Sequence, residues 1–114
     1  MKKPGPKFPT APRHLSQESK TWWKRFNSGW AFDDAALLIL EALLQARDRW
    51  AQAMETISRE GTTTTDRFGQ AKVHPAVLIE RDSRAAMSAG VKQLNLDLEP
   101  LLAPGRPAGG KRGL

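Results

Sequence analysis

From position 34 to position 60 the chain contains neither Pro nor Gly, and Ile39, Leu43, Ala46, Trp50, Ala53 and Ile57 recur at alternating spacings of four and three. That period marks one face of an α-helix. It predicts a single helix from Asp34 to Glu60, ~40 Å long at 1.5 Å per residue, more than a small globular domain needs. The first half, Ala35-Ala36-Leu37-Leu38-Ile39-Leu40, is apolar around most of its circumference, whereas Arg47, Asp48, Arg49, Gln52 and Glu55 interrupt the second. The first half is therefore expected to be enclosed, by the preceding helix or by a neighbouring subunit.

Shorter patterns flank this helix. Ser16 offers an N-cap for a first helix over Gln17 to Phe26, with Ser19, Trp22, Trp23 and Phe26 on one face and Lys20, Lys24 and Arg25 around it. Asn27-Ser28-Gly29 reads as a turn, Trp30 and Phe32 as packing for the connection, and Asp33 or Asp34 as the cap of the long helix. Past Gly61, the β-branched run Thr62 to Thr65, then Asp66-Arg67-Phe68-Gly69 and Gln70 to Val73, suggests a short β-hairpin. His74-Pro75 opens a third helix running to about Leu94, since Pro is tolerated in a first turn. The stripe Ile79, Ser83, Ala86, Gly90 and Leu94 is small enough to let this helix lie close along the second in an antiparallel hairpin, with Glu80, Arg81, Asp82, Arg84 and Lys92 largely on the other side. The expected fold is all-α: a short first helix and a long helical hairpin, spanning residues 15–97. A Pro-rich basic arm at 1–14, with Pro4, Pro6, Pro9 and Pro12, and a Pro/Gly-rich basic tail at 98–114 are expected to be flexible.

Charge sharpens that division. The net charge of +6 over 114 residues is unevenly placed: residues 1–14 and 101–114 hold seven cations and no acid, while residues 15–100 hold eleven cations and twelve acids. Acid-free basic tails attract polyanions through counterion release, or serve as solubilising linkers. One domain of this size buries only roughly 60 to 65% of its unfolded surface, so a protein with four Trp, four Phe and many Leu is a candidate for completing its core with partner chains.

Catalytic chemistry is not visible. Cysteine is absent, which removes disulfides and thiolate sites and fits a reducing cytoplasm. His14 and His74 lie far apart and neither has an i, i+4 partner for a metal; His74 reads as a turn residue before Pro75, and Asp33 with Asp34 as helix-capping acids. No phosphate-loop pattern surrounds Gly61 or Gly69, and no stretch approaches the ~20 apolar residues that span a bilayer. The expectation is a protein without catalytic residues, cofactor or metal, acting off the membrane. Lys20, Trp22, Trp23, Lys24 and Arg25 interleave cations with aromatics as nucleic-acid surfaces do, although aromatics at helical spacing are more often core. Arg47 and Arg49 could line a DNA path, with pairing to Asp48 or nearby acids as the simpler role.

In order, Pro12-Arg13-His14-Leu15, Trp22 or Trp23, Phe32-Asp33-Asp34, Trp50, Gly61, Gly69, His74-Pro75 and Leu94-x-Leu96 before Glu99-Pro100 resemble the small subunit of tailed-phage terminases over about residues 4 to 100. These are single positions in sequence, not a catalytic signature. One departs from the family pattern: Asn95 stands where Leu-Gly-Leu would place a glycine. The resemblance implies a non-enzymatic homo-oligomer, a ring, in the host cytoplasm. It would bind double-stranded viral DNA at the packaging-initiation region, and recruit and regulate the large terminase subunit, an ATPase and nuclease. On that reading Lys2, Lys3, Lys7, Arg13, Lys20, Lys24 and Arg25 are the DNA contacts, and Leu37, Leu38, Leu40 and Leu44 the oligomerisation surface. The C-terminal segment 101–114 is the candidate contact for the large subunit. A structural adaptor or helical protein-interaction module of phage assembly is the alternative; a compact three-helix regulator fits less well, because the second helix is long for a helix-turn-helix.

Overall fold

The computed structural model describes residues 8–96. Its elements are α1 (Gln17–Gly29), α2 (Asp34–Glu60), β1 (Thr63–Thr65), β2 (Ala71–Val73) and α3 (Pro75–Gln93). The chain is mostly helical, with a small two-stranded sheet.

Local chemistry explains most boundaries. Ser16 is extended and its hydroxyl accepts the Ser19 N–H at 3.1 Å, which starts α1. Asp33 does the same for α2, accepting the Ala36 N–H at 2.8 Å, and Gly61, at φ +86°, ends that helix by donating its N–H to the Ile57 carbonyl. His74 caps α3 through Nδ1, which accepts the Ala76 N–H at 3.0 Å, and Pro75 fills the first turn.

Two expectations are corrected. Asn27-Ser28-Gly29 is not a turn but the last part of α1. The Ser28 hydroxyl donates to the Lys24 carbonyl at 2.8 Å and the buried Asn27 amide to the Trp23 carbonyl at 2.9 Å, so both turn-forming side chains are consumed on the helix itself. In α3, the buried positions are Ala76, Ser83 and Gly90; Ile79 and Ala86 are exposed, and Glu80, expected on the outer side, is half-buried. The Trp50 indole N–H donates to the Glu80 carboxylate at 3.1 Å, which ties Glu80 to α2.

Contacts between α2 and α3 pair Leu43 with Gly90, Trp50 with Glu80 and Glu60 with His74, so the helices run antiparallel. A Cβ on Gly90 would stand 2.9 to 3.1 Å from three side-chain atoms of Leu43, and glycine is what permits this approach. The core gathers Leu15, Trp23, Leu40, Leu43 and Leu44, with Ala11, Phe26, Phe32, Leu37, Val91, Leu94 and Leu96 against it. Full burial of a leucine such as Leu40 contributes about 1.5–3 kcal/mol.

The expected glycine position before the tail finds its explanation here. Asn95 adopts φ +57°, the left-handed conformation that ends a helix, and Leu96 donates its N–H to the Val91 carbonyl at 2.9 Å. Asn is among the few L-residues that enter this region readily, so it does a glycine's work at the end of α3 and turns Leu96 back onto the core.

Candidate nucleic-acid interface

On α1, Lys20 and Lys24 are one turn apart and project on the same side. Arg13 joins them through packing rather than spacing. The buried Trp23 donates its indole N–H to the Pro9 carbonyl at 2.8 Å, while Ala11 and Leu15 rest on the core, so residues 8–15 lie along the helix. Between the two runs a groove of about 590 Å³, with Phe8, Pro9 and Ala11 in one wall, carries Arg13, Lys20 and Lys24 at its rim. Arg25 lies about 100° further round the helix from Lys24 and is not part of the groove. Its guanidinium sits 4.8 Å from the centre of the Trp22 ring, which stacks on Phe26 at 5.5 Å; Phe26 meets Trp30 edge-on at 5.9 Å.

The two tryptophans thus separate. Trp23 is core, whereas Trp22 is 37% exposed and carries a cation on its face. Lys2, Lys3 and Lys7, together with the tail cations Arg106, Lys111 and Arg112, lie outside the described residues.

On the helical hairpin most arginines are paired, although Arg49 and Lys92 have no carboxylate at ion-pair distance among the described residues. Arg47 pairs with Glu18 and Asp48, Arg59 with Glu55 and Glu60, Arg81 with Asp82, and Arg84 with Glu80. Among the described residues Arg13, Lys20, Lys24 and Arg25 have no carboxylate within ion-pair distance. Such cations keep their full charge for an external anion.

The groove is held in place by a residue that sequence reasoning assigned only to an ion pair. The Asp48 carboxylate accepts the Ser16 N–H at 2.9 Å and the Ser16 and Ser19 hydroxyls at 2.6 Å each, fastening the start of α1 to the middle of α2. Burial pushes its carboxyl upward, but the hydroxyls of Ser16 and Ser19, the Ser16 amide and the neighbouring Arg47 charge outweigh that and hold it below the ordinary aspartate range. The Arg47 Nη1 is buried with no hydrogen-bond acceptor, 3.6 Å from Asp48. Only the position of Ser16 and Ser19 on one turn hinted at this network.

The four leucines proposed for subunit contact fall into different settings. Leu40 and Leu44 are sealed in the chain's own core, at 0% and 1% exposure, and Leu37 packs against it. Leu38 is 70% exposed, in line with the exposed Ala35 and Ala42. His14 binds Glu41 at 2.8 Å and His74 binds Glu60 at 2.8 Å. Among the described residues no group of three His, Asp or Glu side chains is placed to hold a metal, and no helix is long and apolar enough to cross a membrane.

Residues 20–99, well over half of the chain, match the family model described as phage terminase, small subunit. No curated protein and no solved structure matches the chain. The chain belongs to the phage terminase small-subunit family, which places it in phage packaging.

Proposed function

We propose, with membership of the phage terminase small-subunit family as the premise, that this protein is the oligomeric DNA-recognition component of a packaging motor. It binds double-stranded viral DNA in the host cytoplasm, recruits the large terminase subunit and regulates that partner's ATPase and nuclease. The protein itself performs no catalysis. The observation that carries the DNA reading is the groove, where Arg13, Lys20 and Lys24 converge with no acidic partner among the described residues. Lys2, Lys3 and Lys7 precede that rim in sequence and extend the phosphate-binding charge, while Arg25 contributes from the adjacent side of α1. Leu38, flanked by Ala35 and Ala42, supplies the apolar contact through which copies assemble into a ring, with Leu37 at its border and Leu40 and Leu44 supporting it from within.

The test is duplex-DNA binding by the full chain at 50 to 200 mM salt, compared with the variant Arg13→Ala, Lys20→Ala, Lys24→Ala. The wild type is expected to bind with log K falling steeply against log salt. Each lost phosphate contact removes about 0.9 from the slope, so the variant's slope is shallower by about 2–3. No binding at low salt removes the DNA reading. An unchanged slope in the variant removes the groove from it.

A further inference from the structure

Where α2 ends, the chain forms a ribbon that the rest of the fold does not cover. β1 and β2 pair antiparallel, Thr63 with Val73, Thr64 with Lys72 and Thr65 with Ala71, and every strand residue except Thr64 is exposed. The tip is nevertheless well ordered by hydrogen bonding. One Asp66 carboxylate oxygen accepts the N–H groups of Phe68 and Gln70 at 2.8 and 3.0 Å, the Asp66 carbonyl accepts the Gly69 N–H at 3.0 Å, and Gly69 takes φ +80°. The ribbon's base closes with the His74 N–H donating to the Thr62 carbonyl at 2.9 Å. A fixed turn therefore presents Phe68, 76% exposed, with the Arg67 guanidinium 5.2 Å from its ring centre.

The charges around that ring have one sign outward. Asp66 is the only acid between residues 61 and 73, and its carboxylate is turned onto the backbone of the turn. Arg67 and Lys72 have no carboxylate at ion-pair distance among the described residues. The apolar surface offered is the Phe68 ring at the tip, with Ala71 and the 55% exposed Val73 further back on β2, far short of the ~800 Å² per partner of a stable protein interface. A single ring is enough for another kind of contact, insertion between stacked bases, where apolar side chains unstack a step and kink the duplex.

We propose that the ribbon tip is a second duplex-DNA contact, in which Phe68 wedges against a base step from the minor groove while Arg67 and Lys72 meet the flanking phosphates. This rests on the DNA-binding reading above but uses a separate part of the molecule, ~20 Å along α2 from Asp48, where α1 is fastened. The minor groove, ~6 Å wide, admits the side chains of the tip. The proposal assigns the ribbon a task distinct from affinity: distorting the DNA that the α1 groove holds electrostatically.

The experiment uses the full chain and duplexes carrying 2-aminopurine at successive steps, whose fluorescence rises when the base unstacks, with affinity measured in parallel. The wild type should raise the fluorescence at least twofold at one or more steps. Phe68→Ala should abolish that rise while weakening binding less than about fivefold, and Phe68→Leu, which keeps an apolar wedge, should retain part of it. Because Phe68 contacts little beyond Arg67, circular dichroism and Tm of Phe68→Ala should match the wild type.

The outcomes separate the two readings. A wild type that shows no salt-sensitive binding removes the DNA reading and this proposal together. A wild type that binds without a fluorescence rise, or a Phe68→Ala variant that keeps the rise, overturns the wedge alone. Loss of self-association in Phe68→Ala with DNA fluorescence unchanged assigns the ribbon to a protein partner and likewise overturns it.

Discussion

The α1 surface and the β-ribbon are built from the same materials, an arginine over an aromatic ring with unpaired cations nearby, but they are attached to the molecule in opposite ways. Arg25 and Trp22 ride on a helix whose other side is core, tied by Trp23 to Pro9 and by Ser16 and Ser19 to Asp48. Arg67 and Phe68 sit on a ribbon stabilised mainly by its own turn and ladder. A surface supported by the core has fixed geometry and is costly to disturb. A ribbon that supports itself can bend or be altered with the core unaware. Stability and binding should therefore respond together at α1 and separately at the ribbon.

The strongest break in this contrast comes from Asp48→Ala. It removes the acceptor for two hydroxyls and one amide and leaves Arg47 with only the exposed Glu18 as counter-charge, a loss of about 2–4 kcal/mol in urea unfolding at pH 7. Amide shifts at the ribbon, residues 63–73, should not move. Because the folded-state carboxyl is held below its ordinary range, its contribution is present at neutral pH and is lost as pH falls through the folded value, below about pH 4. The gap between wild type and Asp48→Ala should therefore narrow in acid. A gap that is small at pH 7, or constant down to pH 3, means that α1 is not fastened in this way.

Two glycines sharpen the comparison. At Gly90 an added methyl meets Leu43 at 2.9 Å inside the packed hairpin, and Leu43 is itself buried. Overpacking costs roughly 1–3 kcal/mol, against about 1 kcal/mol gained from alanine's helix propensity, so Gly90→Ala should lower global stability by up to about 2 kcal/mol. At Gly69 nothing lies near the position, but φ +80° strains any L-residue. Gly69→Ala should cost about 1–2 kcal/mol locally, seen as faster hydrogen exchange in the ribbon, with the urea midpoint of the whole protein unchanged. A global loss from Gly69→Ala as large as that from Gly90→Ala would erase the distinction between the two regions.

How much of this was legible in the sequence depended on whether its cause was local. The bounds of α2 follow from Asp33 and Gly61, and the start of α3 from His74-Pro75, because each cap acts within four residues of itself. The line α3 buries was not legible: Ser83 and Gly90 were on the expected stripe, but Ala76 completes it instead of Ile79, and Glu80 has its partner, Trp50, thirty residues away. The site divided the same way. Lys20 and Lys24 share a side by helical period alone, while Arg13 reaches them because Trp23 binds Pro9 and Ala11 and Leu15 rest on the core, and four leucines of similar sequence setting received three different environments. Asn27 and Ser28 misled because a turn-forming residue and a helix-terminal one use the same short polar side chain.

The smallest expected effect concerns Asn95. Its φ of +57° costs an asparagine less than most residues but costs glycine nothing, so Asn95→Gly should raise stability, by a few tenths to about 1 kcal/mol, offset partly by the greater freedom of glycine in the unfolded chain. The Leu96 N–H to Val91 carbonyl bond should persist, and with it the packing of Leu96 on the core shared with Leu15 and Trp23. Slower exchange of the Leu96 amide in Asn95→Gly, read by hydrogen-exchange NMR, would place the end of α3 on the core-supported side of the comparison. A destabilised variant would show instead that the asparagine side chain itself holds that turn, a role the left-handed backbone alone does not explain.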